Sequence, residues 1–354
     1  MKYSYLGNSG LQVSSLALGT MNFGPFTEEK EAFRIMDEAL DSGINFFDTA
    51  NMYGAMSPEG YTGWTEEIIG KWFKQGNNRR ERVILSTKLY WPMNDLTYGP
   101  NDDPGVSAYK IRRNLEDSLK RLQTDHIDFY LIHSLNRENW KKVKENGVDE
   151  FLDSAIKDGR IRYAGFSFHD KLDLFKEIVD YYNWSFCQMQ YNYSDENFQA
   201  GTRGLKYAAQ KGLGITIMEP LRGGKLVNSL PKEAMDTFDR SNFKRTPAEW
   251  GLRWVWNHPE VKVVLSGMNS MEQVKENIKT ADKARANSLT EKELKLIDKV
   301  KDVFNAKIKV NCTGCEYCMP CPSGVNIPGC FSAYNNYSIF HKWQINYKAF
   351  AAFF

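Results

Sequence analysis

Short apolar runs alternate with amphipathic stretches along most of this chain, and that alternation constrains the fold more than any other feature. The runs fall at residues 15–19, 44–48, 82–87, 127–132, 161–166, 186–190, 214–218 and 261–265. Each is brief, rich in aliphatic and aromatic residues, and reads as a buried strand. Between them lie segments with helical spacing: 27–41, 109–122, 172–181, 203–210, 247–257 and 270–280. In the second of these Ile111, Leu115, Leu119 and Leu122 share one side. Alternation alone suits either a doubly wound sheet or a barrel. Eight βα units favour an α/β (β/α)8 TIM barrel. A hairpin from Tyr3–Leu6 through Asn8, Ser9 and Gly10 to Val13 and Ser14 is expected to cap the end opposite the βα loops. Residues 294–304 read as a last helix leading away from the barrel, and near Lys307 periodicity gives way to Cys, Gly, Pro and Asn. The expected organisation is therefore a barrel over 1–305 and a small cysteine-rich module over 306–354.

Charge and composition exclude several classes. Lys and Arg total 46 against 44 for Asp and Glu, a balance of +2 that gives no whole-protein attraction to nucleic acid or an anionic membrane. No stretch of about 18 apolar residues is present, so no membrane span is expected, and the first residues lack the apolar core of a signal peptide. Cys187 stands alone, whereas Cys312, Cys315, Cys318, Cys321 and Cys330 crowd together. A secreted disulfide protein spreads its cysteines through its loops; this distribution suits a metal site in a reducing, cytoplasmic setting. Cys187 reads as a small core residue.

Four ionisable residues follow strands: Asp48, Tyr53, Lys88 and His133. Singly, each has an ordinary reading, as a turn cap, a half-buried aromatic, an exposed lysine and a core histidine. Together they sit where the βα loops of a barrel converge. The segments Asn45–Gly54 (NFFDTANMYG), Ile84–Lys88 (ILSTK) and Asp128–Ser134 (DFYLIHS) resemble the signature regions of the aldo-keto reductase family, over roughly residues 1 to 300.

The resemblance implies NAD(P)H-dependent reduction of an aldehyde or ketone, reversible as oxidation of an alcohol. Tyr53 would supply the proton, Lys88 would lower its pKa, Asp48 would hold Lys88, and His133 would orient the carbonyl. The cofactor, NADP(H) or NAD(H), would lie across the same mouth, beside Gly19, Thr20 and Asp48. Ser167 and Gln190 match the positions that hold the nicotinamide amide. Here Ser167 is followed by Phe168 and His169 rather than by the family's frequent Asn. Met218 stands where an aromatic residue usually stacks on the nicotinamide. Pro220, Leu221, Gly223 and Lys225, with Arg222 and Gly224, would wrap the pyrophosphate. Gly267, Gln273, Glu276 and Asn277 resemble the adenosine site, with Gln273 at a position that often carries Arg. No GxGxxG follows the first strand, which disfavours a Rossmann domain.

Cys312, Cys315, Cys318 and Cys321, spaced by three and followed by Pro322, resemble ferredoxin-type ligation of a 4Fe–4S cluster. Zinc is the competing metal. The last interval is one residue shorter than the ferredoxin pattern, so the fourth ligand is Cys321, Cys330 or a residue beyond Phe354. The following loop is expected to pack on the barrel through Phe331 and Tyr334. A carbonyl substrate is the expected small-molecule partner, and an electron-transfer or regulatory protein the possible macromolecular one. The alternative function is a nicotinamide-nucleotide-sensing regulatory or redox-partner protein with little turnover.

Overall fold

The computed structural model describes residues 1–55, 60–90, 108–312 and 318–340. Ten strands occur among them: β1 (Tyr3–Tyr5), β2 (Gln12–Ser14), β3 (Leu16–Gly19), β4 (Phe46–Asp48), β5 (Ile84–Leu89), β6 (Ile127–Leu135), β7 (Ile161–Phe168), β8 (Phe186–Gln190), β9 (Gly214–Met218) and β10 (Val263–Ser266). Strands β3 to β10 close in sequence order into one barrel, with every neighbouring pair parallel.

Strand parity decides what this barrel can do. Side chains alternate between the two faces of a strand. On β4, Phe46 belongs to the inner cluster and Phe47 to the outer one, where it stacks on Trp72 at 5.6 Å. On β6, Phe129 and Leu131 face inward while Tyr130 and Ile132 face the helices. Counting on by two reaches Asp48 on β4, Ser86 and Lys88 from Ile84 on β5, His133 on β6, and Gln188 and Gln190 from Phe186 on β8. The same inward register that builds the core therefore delivers polar side chains to the mouth.

The lower lumen is apolar. Phe129 lies at its centre, edge-on to Phe186 at 4.9 Å and to Phe46 at 5.6 Å, and stacked on Tyr163 at 5.4 Å. The antiparallel β1–β2 hairpin plugs this end with Leu6 and Val13, as the sequence predicts. Gly7 is required there. Its φ is +58°, and a Cβ would lie 2.0 Å from the Ser185 carbonyl oxygen.

Two sequence expectations change. Residues 291–306 form a helix that lies along the barrel, not away from it, because Ile297, Val300 and Phe304 are buried. Beyond residue 305 a helix, Ile327–Phe340, joins the main core through Ile339 and Phe340. Phe331 and Tyr334, the expected anchors, are exposed instead. Two further helices between β6 and β7, Arg137–Glu145 and Val148–Lys157, have no counterpart in the sequence reading. No helix among the described residues is long and apolar enough to cross a membrane.

Candidate active site

Lys88 is fully buried at the end of β5, and its ammonium group has three acceptors. It donates to Asp48 Oδ2 at 2.5 Å, to the Thr49 carbonyl at 2.7 Å and to Tyr53 Oη at 3.3 Å. The other oxygen of Asp48 accepts from Ser86 Oγ at 3.0 Å and from Gln188 Nε2 at 3.3 Å. A buried ion pair carries a desolvation cost that only saturated hydrogen bonding offsets, and both partners here are saturated.

Tyr53 stands on the turn that follows β4. Gly54 makes this turn possible, with φ at +112° and a Cβ position only 2.5 Å from the Tyr61 carbonyl oxygen. Asn51 fixes the base of the turn. It accepts from the Tyr90 N–H at 3.0 Å and donates to Asn114 Oδ1 at 3.0 Å, while its own N–H bonds the Lys88 carbonyl at 3.2 Å. The ring of His133 lies edge-on to Tyr53, with centroids 5.9 Å apart, and Tyr90 packs on its other side at 5.4 Å.

The electrostatics correct one expectation. The Tyr53 pKa is raised, not lowered: burial pushes it up, and the opposing pull of Lys88 is the smaller effect. Burial likewise acts to lower the Lys88 pKa, but Asp48 and Tyr53 outweigh it, so the amine stays protonated. Burial, then Lys88, then His169 hold His133 well below the usual imidazole range. The site at neutral pH therefore holds a phenol O–H, an ammonium and a neutral imidazole beside Asp48. His133 Nδ1 is buried without a hydrogen-bond partner among the described residues.

The expected cofactor residues line the same rim. Thr20 donates both its N–H and its hydroxyl to the Asp48 carbonyl, each at 3.0 Å, and Gly19 sits close against the Ser266 carbonyl. Ser167 Oγ accepts from the Ser134 N–H at 2.7 Å, and Gln190 donates to Asp195 at 3.1 Å. Met218 is half-buried at the end of β9. The next loop is tightly wound: the Leu221 carbonyl accepts from the N–H groups of Gly224 and Leu226, Pro220 is buried, and Arg222, Gly223 and Gly224 all have positive φ. Lys225 is held below its ordinary pKa by burial and then by Arg222.

Among the residues expected to meet the adenosine, the Gly267 carbonyl accepts from Asn22 at 3.2 Å, and Gln273 Oε1 accepts from the Asn269 N–H at 2.9 Å. Glu276 accepts the Thr246 hydroxyl at 2.5 Å, and Asn277 donates to Ser266 Oγ at 3.0 Å. Sequence reasoning missed Asn51, Ser86, Gln188 and Asp195. The first lies inside the quoted motif, the next two are reachable by strand parity, and Asp195 carries no local signal.

The cysteine segment gives a different picture. Cys312 and Cys318 are exposed and Cys321 and Cys330 half-buried; Cys312, Cys318 and Cys321 are free thiols, and Cys315 lies outside the described residues. Among the described residues no three His, Cys, Asp or Glu side chains are gathered as a metal would require. Cys187 is buried in the core, as predicted, and burial pushes its thiol far up. Residues 91–104 lie outside the described residues.

Comparison with known proteins agrees with this geometry. The sequence profile described as "Aldo/keto reductase family" matches residues 15–302. The Bacillus subtilis protein named "Uncharacterized oxidoreductase YrpG" is 40% identical over 306 residues, covering 80% of this chain and 91% of that protein. A rice protein named "Probable voltage-gated potassium channel subunit beta" is 28% identical over 349 residues, covering 87% of this chain and 98% of its own. Among solved structures, the holo form of aldo-keto reductase AKR11C1 from Bacillus halodurans has a TM-score of 0.67 at 29% identity, covering 85% of this chain and 96% of that one.

Proposed function

The chain belongs to the aldo/keto reductase family and is an NAD(P)H-dependent oxidoreductase, and from that premise we propose that it reduces an aldehyde or ketone at the mouth formed by Asp48, Tyr53, Lys88 and His133. The observation that carries the reading is the Lys88 ammonium, shared between Asp48 and Tyr53 in a buried setting.

A nicotinamide nucleotide, when bound, would supply the hydride that the carbonyl carbon needs. The chain's own residues manage the charge that follows. Negative charge develops on the carbonyl oxygen, and the Tyr53 hydroxyl is the proton donor beside it. Its raised pKa keeps it protonated before reaction. Lys88, pinned by Asp48, stabilises the phenolate left after transfer. Neutral His133 offers a hydrogen bond that orients the oxygen without adding positive charge. Ser167, Gln190, the Leu221–Lys225 loop and residues Gly267, Gln273, Glu276 and Asn277 are proposed to hold the nucleotide. Purified protein should oxidise NADPH in proportion to added aldehyde across a panel of aliphatic and aromatic aldehydes. Nucleotide binding with no turnover on any member would favour the sensing alternative.

The C-terminal thiols support a narrower proposal. Cys312, Cys315 and Cys318, with Cys321 ahead of Cys330 as fourth ligand, bind a 4Fe–4S cluster. Its support is the spacing in the sequence and the free state of Cys312, Cys318 and Cys321; the described side chains do not by themselves gather three donors. Iron and acid-labile sulfide should appear at about four of each per chain after anaerobic purification. One equivalent of zinc without sulfide would replace the cluster by a zinc site.

A further inference from the structure

The family match ends at residue 302, yet the chain continues into a helix that returns to the rim. Its path is fixed by named contacts. Asn335 Oδ1 accepts from the N–H groups of Lys309 and Val310 at 2.9 and 3.0 Å, and its amide nitrogen donates to the Val310 carbonyl at 2.8 Å. Ser338 donates to the Lys307 carbonyl at 2.7 Å. These bonds strap the helix to the end of Glu291–Ala306. Its last residue, Phe340, is then buried against Phe304, with centroids 5.9 Å apart.

The same ring meets the proposed nucleotide loop. The Arg222 guanidinium carbon lies 5.3 Å from the Phe340 centroid. Arg222 also pairs through Nε with Asp195 Oδ2 at 3.3 Å and donates through Nη1 to Ser194 Oγ at 3.2 Å. Asp195 is the carboxylate that holds Gln190, and it accepts from Asn192 at 3.1 Å as well. A long side chain at a positive-φ position is thus fixed on three sides, by a carboxylate, a hydroxyl and an aromatic face. Its Nη2 has no hydrogen-bond partner among the described residues. A guanidinium held this way, with one edge uncommitted, is pre-organised for an anionic oxygen.

We infer that the C-terminal helix Ile327–Phe340 is a positioning element for the nucleotide site, and that Phe340 sets dinucleotide affinity by holding Arg222 toward the pyrophosphate. This rests on the loop reading under Proposed function. The effect acts on binding and leaves the chemistry at Tyr53 alone. Loss of the aromatic face should therefore raise the nucleotide Kd about threefold to thirtyfold, the span between an exposed and a desolvated cation–π contact.

The test is NADPH titration by fluorescence on the full chain, comparing wild type, Arg222→Ala, Phe340→Leu, Phe340→Tyr and the Arg222→Ala/Phe340→Leu double variant, with kcat at saturating NADPH. Leucine keeps the apolar packing and removes the ring; tyrosine restores the ring. We expect weaker NADPH binding in Arg222→Ala and in Phe340→Leu and recovery in Phe340→Tyr. The double variant should bind no more weakly than Arg222→Ala, and kcat at saturating NADPH should be unchanged in Phe340→Leu and Phe340→Tyr. Weakening in Arg222→Ala alone, or additive losses, would overturn the role of Phe340 while leaving the loop reading intact. Unchanged affinity in Arg222→Ala would overturn the loop as a pyrophosphate site, and this inference with it.

Discussion

The two ends of the barrel are made by the same strands and have opposite chemistry. At the lower end Leu6, Val13, Phe46, Phe129 and Phe186 fill the lumen with apolar side chains. Two to four residues further along, the same inward register carries Asp48, Lys88 and His133. Burial of each large apolar side chain stabilises by about 1.5–3 kcal/mol, while the Asp48–Lys88 pair carries a desolvation cost offset only by its hydrogen bonds. One end supplies stability and the other uses it to hold charges in place. Parallel strands make this division possible, because all eight deliver their last inward residue to one rim.

The largest effects should separate the two ends. Tyr53→Phe removes the proton donor but no apolar area, so kcat for carbonyl reduction should fall about 10²- to 10⁴-fold. NADPH affinity and thermal stability should stay close to wild type. At the other end Phe129→Ala leaves a cavity against Phe46, Phe186 and Tyr163. It should cost about 3–5 kcal/mol in urea unfolding, with turnover per folded molecule unchanged within about a factor of two, since distant sites act independently. A Tyr53→Phe variant that retained wild-type kcat would remove the acid role. A Phe129→Ala variant that lost turnover while folded would show that the ends are coupled.

Much of this division is written in the chain. All eight barrel strands overlap the apolar runs of the sequence, and β8 and β9 have the same limits in both. Asp48, Tyr53, Lys88 and His133 converge as the strand ends imply. Three features were not legible. The direction of the Tyr53 pKa depends on burial winning over Lys88, and depth of burial is a property of the closed barrel rather than of either residue. Asp195 joins Gln190 to Arg222 across loops distant in sequence, a contact that no local pattern encodes. The helix Ile327–Phe340 has no clear apolar stripe: Phe331, Tyr334 and Tyr337 are exposed while Ile339 and Phe340 are buried, so periodicity points to the wrong anchors.

Acid sharpens the comparison with a smaller effect. His169, just past β7, is held down to about 4 from 6.5, mainly by burial. The unfolded chain therefore binds a proton that the folded chain refuses between those values, and stability falls as pH drops from about 6.5 toward 4. The contribution is at most about 3 kcal/mol. His133 and His258 act in the same direction. His169→Gln should flatten part of the decline in urea stability between pH 6.5 and 4, whereas Phe129→Ala should lower the whole curve without changing its shape. An unaltered slope in His169→Gln would mean that the histidine is protonated in the folded state.

The smallest expected difference lies on the rim, in the choice between NADPH and NADH. A 2′-phosphate adds charge that an Arg fork reads strongly, and we propose that Gln273 stands where such an Arg would read it. The Gln273 amide oxygen is already bound to the Asn269 N–H at 2.9 Å, which leaves its NH₂ group as a neutral donor. Such a donor can meet a phosphate oxygen or a ribose hydroxyl. An uncharged hydrogen bond contributes about 0.5–1.5 kcal/mol net, so the kcat/KM ratio should favour NADPH by no more than about tenfold. Gln273→Arg should raise the ratio above that, chiefly through a lower KM for NADPH, and raised salt should return it toward the wild-type value. Wild-type preference far beyond tenfold would place a cation other than Gln273 at the 2′ position, and the rim would then read the cofactor by charge, as the mouth holds Tyr53 by charge.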